Sequence, residues 1–231
     1  MTGSDRPLPQ GDEKARVVRT MFDRVAGRYD VMNRMMTFGL DVGWRRRTIE
    51  ELRLPAGARV LDLACGTGDL CIELENAGHR PVGLDFAFAM LEHSRAWAPL
   101  VQADALALPV RDGAVDGVTC GFALRNVTSI DELFDECARV VRSGGRVAFL
   151  ETAEPDNPVL RTGHHVYFRH VVPLVGGVVS DRDAYTYLPR SMAYLPEPEE
   201  LQRLLRAAGF TEVRRRALTG GVTQLVTGTR A

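Results

Sequence analysis

Lysine is nearly missing from this chain. Lys14 is the only one, and arginine supplies the rest of the 29 basic residues. A lysine general base or Schiff-base lysine is thereby effectively excluded, and a guanidinium, which stays protonated, is no substitute for either. Cysteine is sparse. Cys65, Cys71, Cys120 and Cys137 form no CxxC pair and show no zinc-ligand spacing from a histidine. This pattern argues against a metal site and for buried free thiols in a reducing compartment. Excess charge of either sign is absent, with a net charge of -1. Nothing global draws the protein to nucleic acid. Long apolar runs are absent as well. The longest, Val171 to Val179 ("VVPLVGGVV"), is too short to span a bilayer and contains proline and glycines. The opening "MTGSDRPLPQGDEK" is polar and carries no apolar signal core, so the expected location is cytoplasmic.

What is present suffices for an ordinary core. The 231 residues are 45% hydrophobic and 26% charged, enough to bury a core without disulfides or metals. At ~150 residues per domain this length fits one large domain or one domain with an insertion. Residues 1–12 read as a disordered tail and 13–231 as a single domain. From Glu13 a helical period places Val18, Met21, Phe22, Val25 and Tyr29 on one face, and a second helix holds Trp44 to Leu52.

Strand and helix then alternate. "RVLDLA", "RPVGLD", "LVQAD", "AVDGVTCGFAL" and "RVAFLET" read as strands. "GDLCIELENAG", "AFAMLEHSRAW" and "SIDELFDECARVVRSGG" read as the helices between them. In the last, Ser129 and Glu132 fit a capping box and Gly144 suits the C-terminal cap. The alternation predicts an α/β fold with a parallel sheet covered on both faces. A segment of about 155–195, rich in proline, aromatics and histidine, interrupts it. A helix with Pro198 in its first turn and Gly209 at its end follows. "TEVRRRAL" and "GVTQLVTGT", separated by a short turn, predict an antiparallel hairpin at a sheet edge.

The turn Gly66-Thr67-Gly68 after the first strand would let a backbone approach a ligand closely. A dinucleotide fingerprint would place a third glycine where Cys71 stands, which weakens a nicotinamide reading. The second strand ends in Asp85, 17 residues after Gly68, where a carboxylate can accept both hydroxyls of an adenosine ribose. The third ends in Asp104-Ala105, near where an adenine amino group would sit. With the closing hairpin, this set resembles class I S-adenosylmethionine-dependent methyltransferases. The chain lacks both the Asn/Asp-Pro-Pro-aromatic motif of nucleic-acid amino methyltransferases and the Pro-Cys motif of cytosine methylation. A small-molecule acceptor is expected instead.

Three stretches carry a closer resemblance: "MFDRVAGRYDVMNRMMTFGLDVGWRRR" (21–47), "GFALRNV" (121–127) and "AYTYLPRSMAYLPEPEEL" (184–201). Together they resemble the ubiquinone/menaquinone biosynthesis C-methyltransferase family, over nearly the whole chain. The resemblance implies a Rossmann-like, seven-stranded, mostly parallel sheet with an antiparallel last strand. It also implies an N-terminal helical lid (13–54) and a substrate cap (about 155–195). The implied reaction is methylation of a ring carbon of a prenylated quinol, with demethylmenaquinol as the expected acceptor. Thr67, Asp85, Asp104 and Ala105 are implied cofactor contacts, and Asp62, Gly66, Gly68, Phe86 and Gly121 complete that set. Tyr29, Arg125 and Asn126 fall near the acceptor. Arg125 would stabilise a quinolate or orient a water, or else pair with a carboxylate at a loop. His164, His165 and His170 are alternative bases. Met32, Met35 and Met36 suit either a prenyl tail or the core. Arg45-Arg46-Arg47 and Arg214-Arg215-Arg216 read as solvated faces. The family usually has serine at Gly121, glycine at Ala123 and an aromatic at Leu195. These departures leave open a relative acting on another aromatic or quinone-like metabolite. The "VVPLVGGVV" stretch reads either as core packing of a cap or as an apolar mouth for a lipid tail with peripheral membrane contact, and a homodimer is a further expectation. A non-catalytic cofactor-binding scaffold is the rival of another class, and retention of Arg125 and Asn126 argues against it.

Overall fold

The computed structural model of the protein describes residues 8–167, 187 and 190–231. The apolar runs form β1 (Arg59–Leu63), β2 (Arg80–Asp85), β3 (Leu100–Gln102), β4 (Val115–Gly121), β5 (Val141–Thr152), β6 (Phe210–Leu218) and β7 (Thr223–Arg230). They make one seven-stranded sheet of order β3-β2-β1-β4-β5-β7-β6. Strands β1 to β5 run parallel, and β7 lies antiparallel between β5 and β6. The predicted hairpin therefore forms, with β6 as the edge strand.

The helices are α1 (Gly11–Val25), α2 (Tyr29–Met36), α3 (Leu40–Leu52), α4 (Asp69–Asn76), α5 (Phe88–Glu92), α6 (Ile130–Val140), α7 (Pro158–Val166) and α8 (Pro198–Ala207). Leu133, Phe134 and Cys137 of α6 and Leu201 and Leu205 of α8 pack on one sheet face, against Val118, Phe149 and Val226. Phe134 and Phe149 pack with their rings tilted at 54° and centroids 4.9 Å apart. Ile49 and Leu52 of α3 and Leu70 and Leu74 of α4 cover the other face over Val60, Ala148 and Leu150.

Three local readings change. The N-terminal helical period is not one helix, because a 3-10 turn at Ala26–Arg28 separates α1 from α2. Gly27 packs there against the His93 imidazole, whose Nε2 lies 3.3 Å from where a Cβ would stand. Helix α5 stops at Glu92 instead of reaching Trp97. The chain turns back onto the glycine turn, with the Arg95 N–H donating to the Thr67 carbonyl at 3.1 Å. Gly144 is not a helix cap. Helix α6 ends at Val140, Val141 is already extended, and Gly144 (φ 73) lies where the β4–β5 register shifts. At the other end of α6, the Glu132 N–H donates to Ser129 Oγ at 3.2 Å, as the cap predicts.

The aromatic pair between α6 and β5 closes a fully buried layer. Phe134→Ala should lower the unfolding free energy by about 3–5 kcal/mol, read from urea denaturation with an unchanged m-value. A loss below about 1 kcal/mol would mean that the layer can collapse around the gap.

Candidate functional site

In this strand order the chain reverses direction across the sheet between β1 and β4, and ligand crevices in open α/β sheets lie outside the carboxyl ends of the strands at such a point. Strand β1 ends there in a turn that leaves ordinary backbone space, with φ 49 at Ala64, 55 at Gly66 and 86 at Gly68. A Cβ on Gly66 would meet Met90 Cε at 3.0 Å, and one on Gly68 would meet Ser94 Oγ at 2.6 Å and Ala96 Cβ at 2.8 Å. Gly68 is thus required by packing, and Gly66 leaves backbone facing the crevice.

Asp85 closes the turn from β2. Its Oδ2 accepts the Gly66 N–H and its Oδ1 the Ala87 N–H, each at 2.8 Å. Burial raises its pKa, and these bonds partly offset the rise. Asp62, on β1 beneath the turn, accepts the Thr119 hydroxyl at 2.9 Å and the Cys71 thiol at 3.5 Å. Burial pushes its pKa up to about 7.

The crevice has connected compartments. One is lined by Gly66, Asp85, Phe86, Asp104, Ala105 and Gly121, with Ala15 and Phe22 of α1 along its side. A smaller polar recess is bordered by Asp62, Thr67, Asp69 and Arg45. The third is a cavity of about 420 Å³ walled by Met36, Phe38, Trp44, Val159, Leu160 and Tyr167. Tyr29 and Phe122 line all three. Phe122 reaches that position through a strained φ of 59 at the end of β4. Burial raises the pKa of the Tyr29 phenol, which is hydrogen-bonded to Asn33.

Arg125 and Asn126 are adjacent in sequence but face different compartments. Arg125 borders the large cavity and forms a buried ion pair with Glu151 of β5. Asn126 borders the first compartment. Its Nδ2 donates to the Phe122 carbonyl at 3.4 Å, and its buried Oδ1 has no partner among the described residues. Asp104 is exposed, and its Oδ1 accepts the Leu106 N–H at 2.9 Å. His164 lines the large cavity with its pKa lowered by burial. His165 is exposed, 3.6 Å from Glu154, and His170 and the "VVPLVGGVV" stretch lie outside the described residues. Met32 is core, Met36 lines the cavity and Met35 is exposed.

The sequence profile of the ubiE/COQ5 methyltransferase family matches residues 10–230. The chain belongs to this family. It is 44% identical to the demethylmenaquinone methyltransferase of Roseiflexus castenholzii over 232 residues, covering 96% of each chain. It is 39% identical to the ubiquinone/menaquinone biosynthesis C-methyltransferase of Syntrophotalea carbinolica, covering 92% of this chain and 94% of that one. Among solved structures, a Thermotoga maritima S-adenosylmethionine-dependent methyltransferase, a possible histamine N-methyltransferase, superposes with a TM-score of 0.67 at 17% identity. That superposition covers 93% of this chain and all (100%) of the other. Haemonchus contortus phosphoethanolamine N-methyltransferase 2, solved with S-adenosylhomocysteine, gives 0.61 at 13% identity over 81% of this chain and 52% of that one. These structural likenesses establish the class I fold. This ubiE/COQ5 family member is an S-adenosylmethionine-dependent C-methyltransferase.

Sequence reasoning passed over Glu151 and Arg45. Glu151 is a carboxylate that follows the apolar run Val147–Leu150 near the C-terminal end of β5, which is a readable signal for a site residue. In sequence, Arg45 reads as part of a solvated arginine cluster. It is buried instead, ion-paired with Asp41 and, at 3.0 Å, with Asp69. Arg46 and Arg47 do lie outside, paired with Glu73, Glu50 and Glu51. Asp30 of α2 accepts the Thr67 hydroxyl and pairs with Arg95 at 2.9 Å, so α2 touches the glycine turn.

The raised pKa of Asp62 has a thermodynamic consequence. The folded chain holds this proton more tightly than the unfolded chain, whose aspartate titrates near ~3.9. The stability it confers is complete below about pH 4 and is lost as pH rises through about 7. Asp62→Asn should therefore gain stability relative to the parent between about pH 5 and pH 8, as urea denaturation at both pH values would reveal. A pH-independent difference would contradict the buried, proton-holding carboxyl.

Proposed function

We propose that the protein methylates a ring carbon of demethylmenaquinol, giving menaquinol. The observation that carries this reading is the meeting of a glycine-turn compartment and a large apolar cavity at Tyr29 and Phe122. The cradle suits a nucleoside. A Cβ would fill it at Gly66, and the Asn126 Oδ1 beside it is an acceptor in want of a donor. Asp85 and Asp104 would receive the ribose and the adenine amino group, with Phe86 and Ala105 as walls. Thr67, Asp62, Gly68 and Gly121 would shape the methionine end. Bound there, S-adenosylmethionine supplies an electrophilic methyl that the ring carbon takes as the carbon–sulfur bond breaks, its electron pair staying on sulfur.

The chain's own residues prepare the carbon. A quinol that has lost one hydroxyl proton pushes electron density onto its ring, whereas the oxidised quinone is electron-poor. Arg125 stays charged and can stabilise the quinolate oxygen, with Glu151 fixing its orientation. Tyr29, which lines both compartments, would hydrogen-bond the ring, and Asn126 would hold the reactants in register. His164, kept neutral by burial, can accept the hydroxyl proton. The ring hydrogen then leaves as a proton, which restores aromaticity. Alignment of carbon, methyl and sulfur can contribute up to ~7–11 kcal/mol. Helices α1 to α3 act as the lid and the segment of about 155–195 as the cap.

The cavity also suits a lipid tail. Phe38 (78% exposed) and Val159 (80% exposed) stand on its rim beside Leu40 and Leu160. We propose that this rim rests on the membrane surface while the tail enters. Among the described residues no helix is long and apolar enough to cross a membrane.

Turnover with S-adenosylmethionine and a short-tailed demethylmenaquinone, read by product mass, should occur only after chemical reduction of the quinone. Methylation of the oxidised form would overturn the quinolate mechanism. Arg125→Lys keeps a charge opposite Glu151 but loses the planar fork. It should lower kcat by roughly 10²-fold or more with cofactor affinity retained. Equal losses of both would remove Arg125 from the acceptor site. Phe38→Asp with Val159→Asp should reduce sedimentation with anionic vesicles and turnover of long-tailed but not short-tailed quinols. Unchanged sedimentation would remove the membrane contact.

A further inference from the structure

The single lysine of the chain is buried, 5% exposed, near the start of α1. No carboxylate among the described residues pairs with it. Its ammonium donates to the Val127 carbonyl at 2.5 Å and lies 3.7 Å from the centroid of the Tyr194 ring. Burial without a counter-charge pulls the Lys14 pKa down to about 8. An apolar side chain of similar length would fill this space without desolvating a cation. What the ammonium adds is directional bonding to two segments at once.

Those segments are informative. Val127 directly follows Arg125 and Asn126. Tyr194 ends a one-turn helix, Met192–Tyr194, and its hydroxyl donates to the Pro9 carbonyl just ahead of α1. The far end of α1 is fixed separately. Asp23 Oδ1 accepts the Ala89 N–H of α5 at 3.4 Å, and Phe22 meets Tyr29 edge-on at 5.8 Å. Between these two fastenings, Ala15 and Phe22 wall the glycine-turn compartment. Helix α1 is a bar held at both ends across that compartment.

We infer that Lys14 is a clasp, a positioning residue that fastens α1 over the adenosine compartment and so sets how fast the cofactor leaves. The inference rests on assigning that compartment to the cofactor. A clasp changes residence time, because affinity differences among close variants reside mostly in dissociation rates.

The test measures S-adenosylmethionine dissociation by stopped-flow displacement and amide hydrogen exchange over α1. Lys14→Met removes the charge and keeps the length. It should speed dissociation roughly 3–30-fold, the worth of one cation–π contact. It should also deprotect α1 and leave the acceptor KM unchanged. Lys14→Arg, which keeps the cation, should restore the parent rate to within about 2-fold. Tyr194→Leu should act in the same direction, and the double variant should add little to either single change. If Lys14→Met fails to fold, Tyr194→Leu decides. Asp85→Asn separates the two claims. Unaltered cofactor affinity there would sink the compartment assignment and the clasp with it. A parent-like dissociation rate in the Lys14 and Tyr194 variants, beside a weakened Asp85→Asn, would sink the clasp alone. So would an acceptor KM that rises as much as the dissociation rate.

Discussion

Asp85 holds the site together through two hydrogen bonds. One oxygen binds the Gly66 N–H of the turn after β1, and the other binds the Ala87 N–H leading into α5. The carboxylate thus locks the ends of two neighbouring strands and the start of a helix to one another. Every other feature of the crevice is measured from that junction. Gly68 can press on Ser94 and Ala96 only because the turn is fixed there, and α1 lies on α5 only because α5 starts where Asp85 sets it. A carboxylate has about four acceptor sites, so meeting two backbone donors leaves capacity for ligand hydroxyls. The structural role of Asp85 is compatible with the ligand contact proposed for it.

The charges around this junction are unusually deep. Arg125–Glu151 and Arg45–Asp41 are buried pairs, and Asp62 is a buried acid with no ion-pair partner among the described residues. Such groups are poor investments for stability alone, since apolar replacements of equal volume are often as stable. Their position explains them better. Each borders a compartment, and each keeps a fixed dipole or charge where water has been displaced. The apolar cavity beyond supplies volume and little polarity, which suits the ligands proposed above, a charged nucleoside cofactor and an apolar acceptor.

Much of the fold was legible because its signals are local. "RPVGLD" is β2 to the residue, Ser129 caps α6, and the Thr219-Gly220-Gly221 break makes the hairpin. The glycine turn and the strand-end carboxylates that meet in the crevice were legible too, since both are short motifs. The break between α1 and α2 was not. It falls at Gly27, where the His93 side chain, distant in sequence, packs against the turn. Glu151 stands 26 residues from Arg125, and no periodicity links an acid to an arginine across that gap. Arg45 carries the same letter as its exposed neighbours, and only the tertiary placement of Asp41 and Asp69 separates it from them. Gly144 obeyed the rule for a cap and was used for a strand irregularity instead, because pairing of Val141 with Val115 began the strand early.

The placement of β7 between β5 and β6 has a consequence for how the chain is made. Strand β5, with Val147 and Phe149 at full burial, has β7 as its neighbour on one side, and β7 follows β6 in the chain. During synthesis β5 and β6 both emerge before the strand that must sit between them. Until the ribosome has released the chain through Arg230, β5 is an open edge of an apolar sheet, the kind of surface that pairs with the wrong partner. The nascent protein must keep a gap one strand wide, or arrive at β5 and β6 unpaired, before the sheet can close.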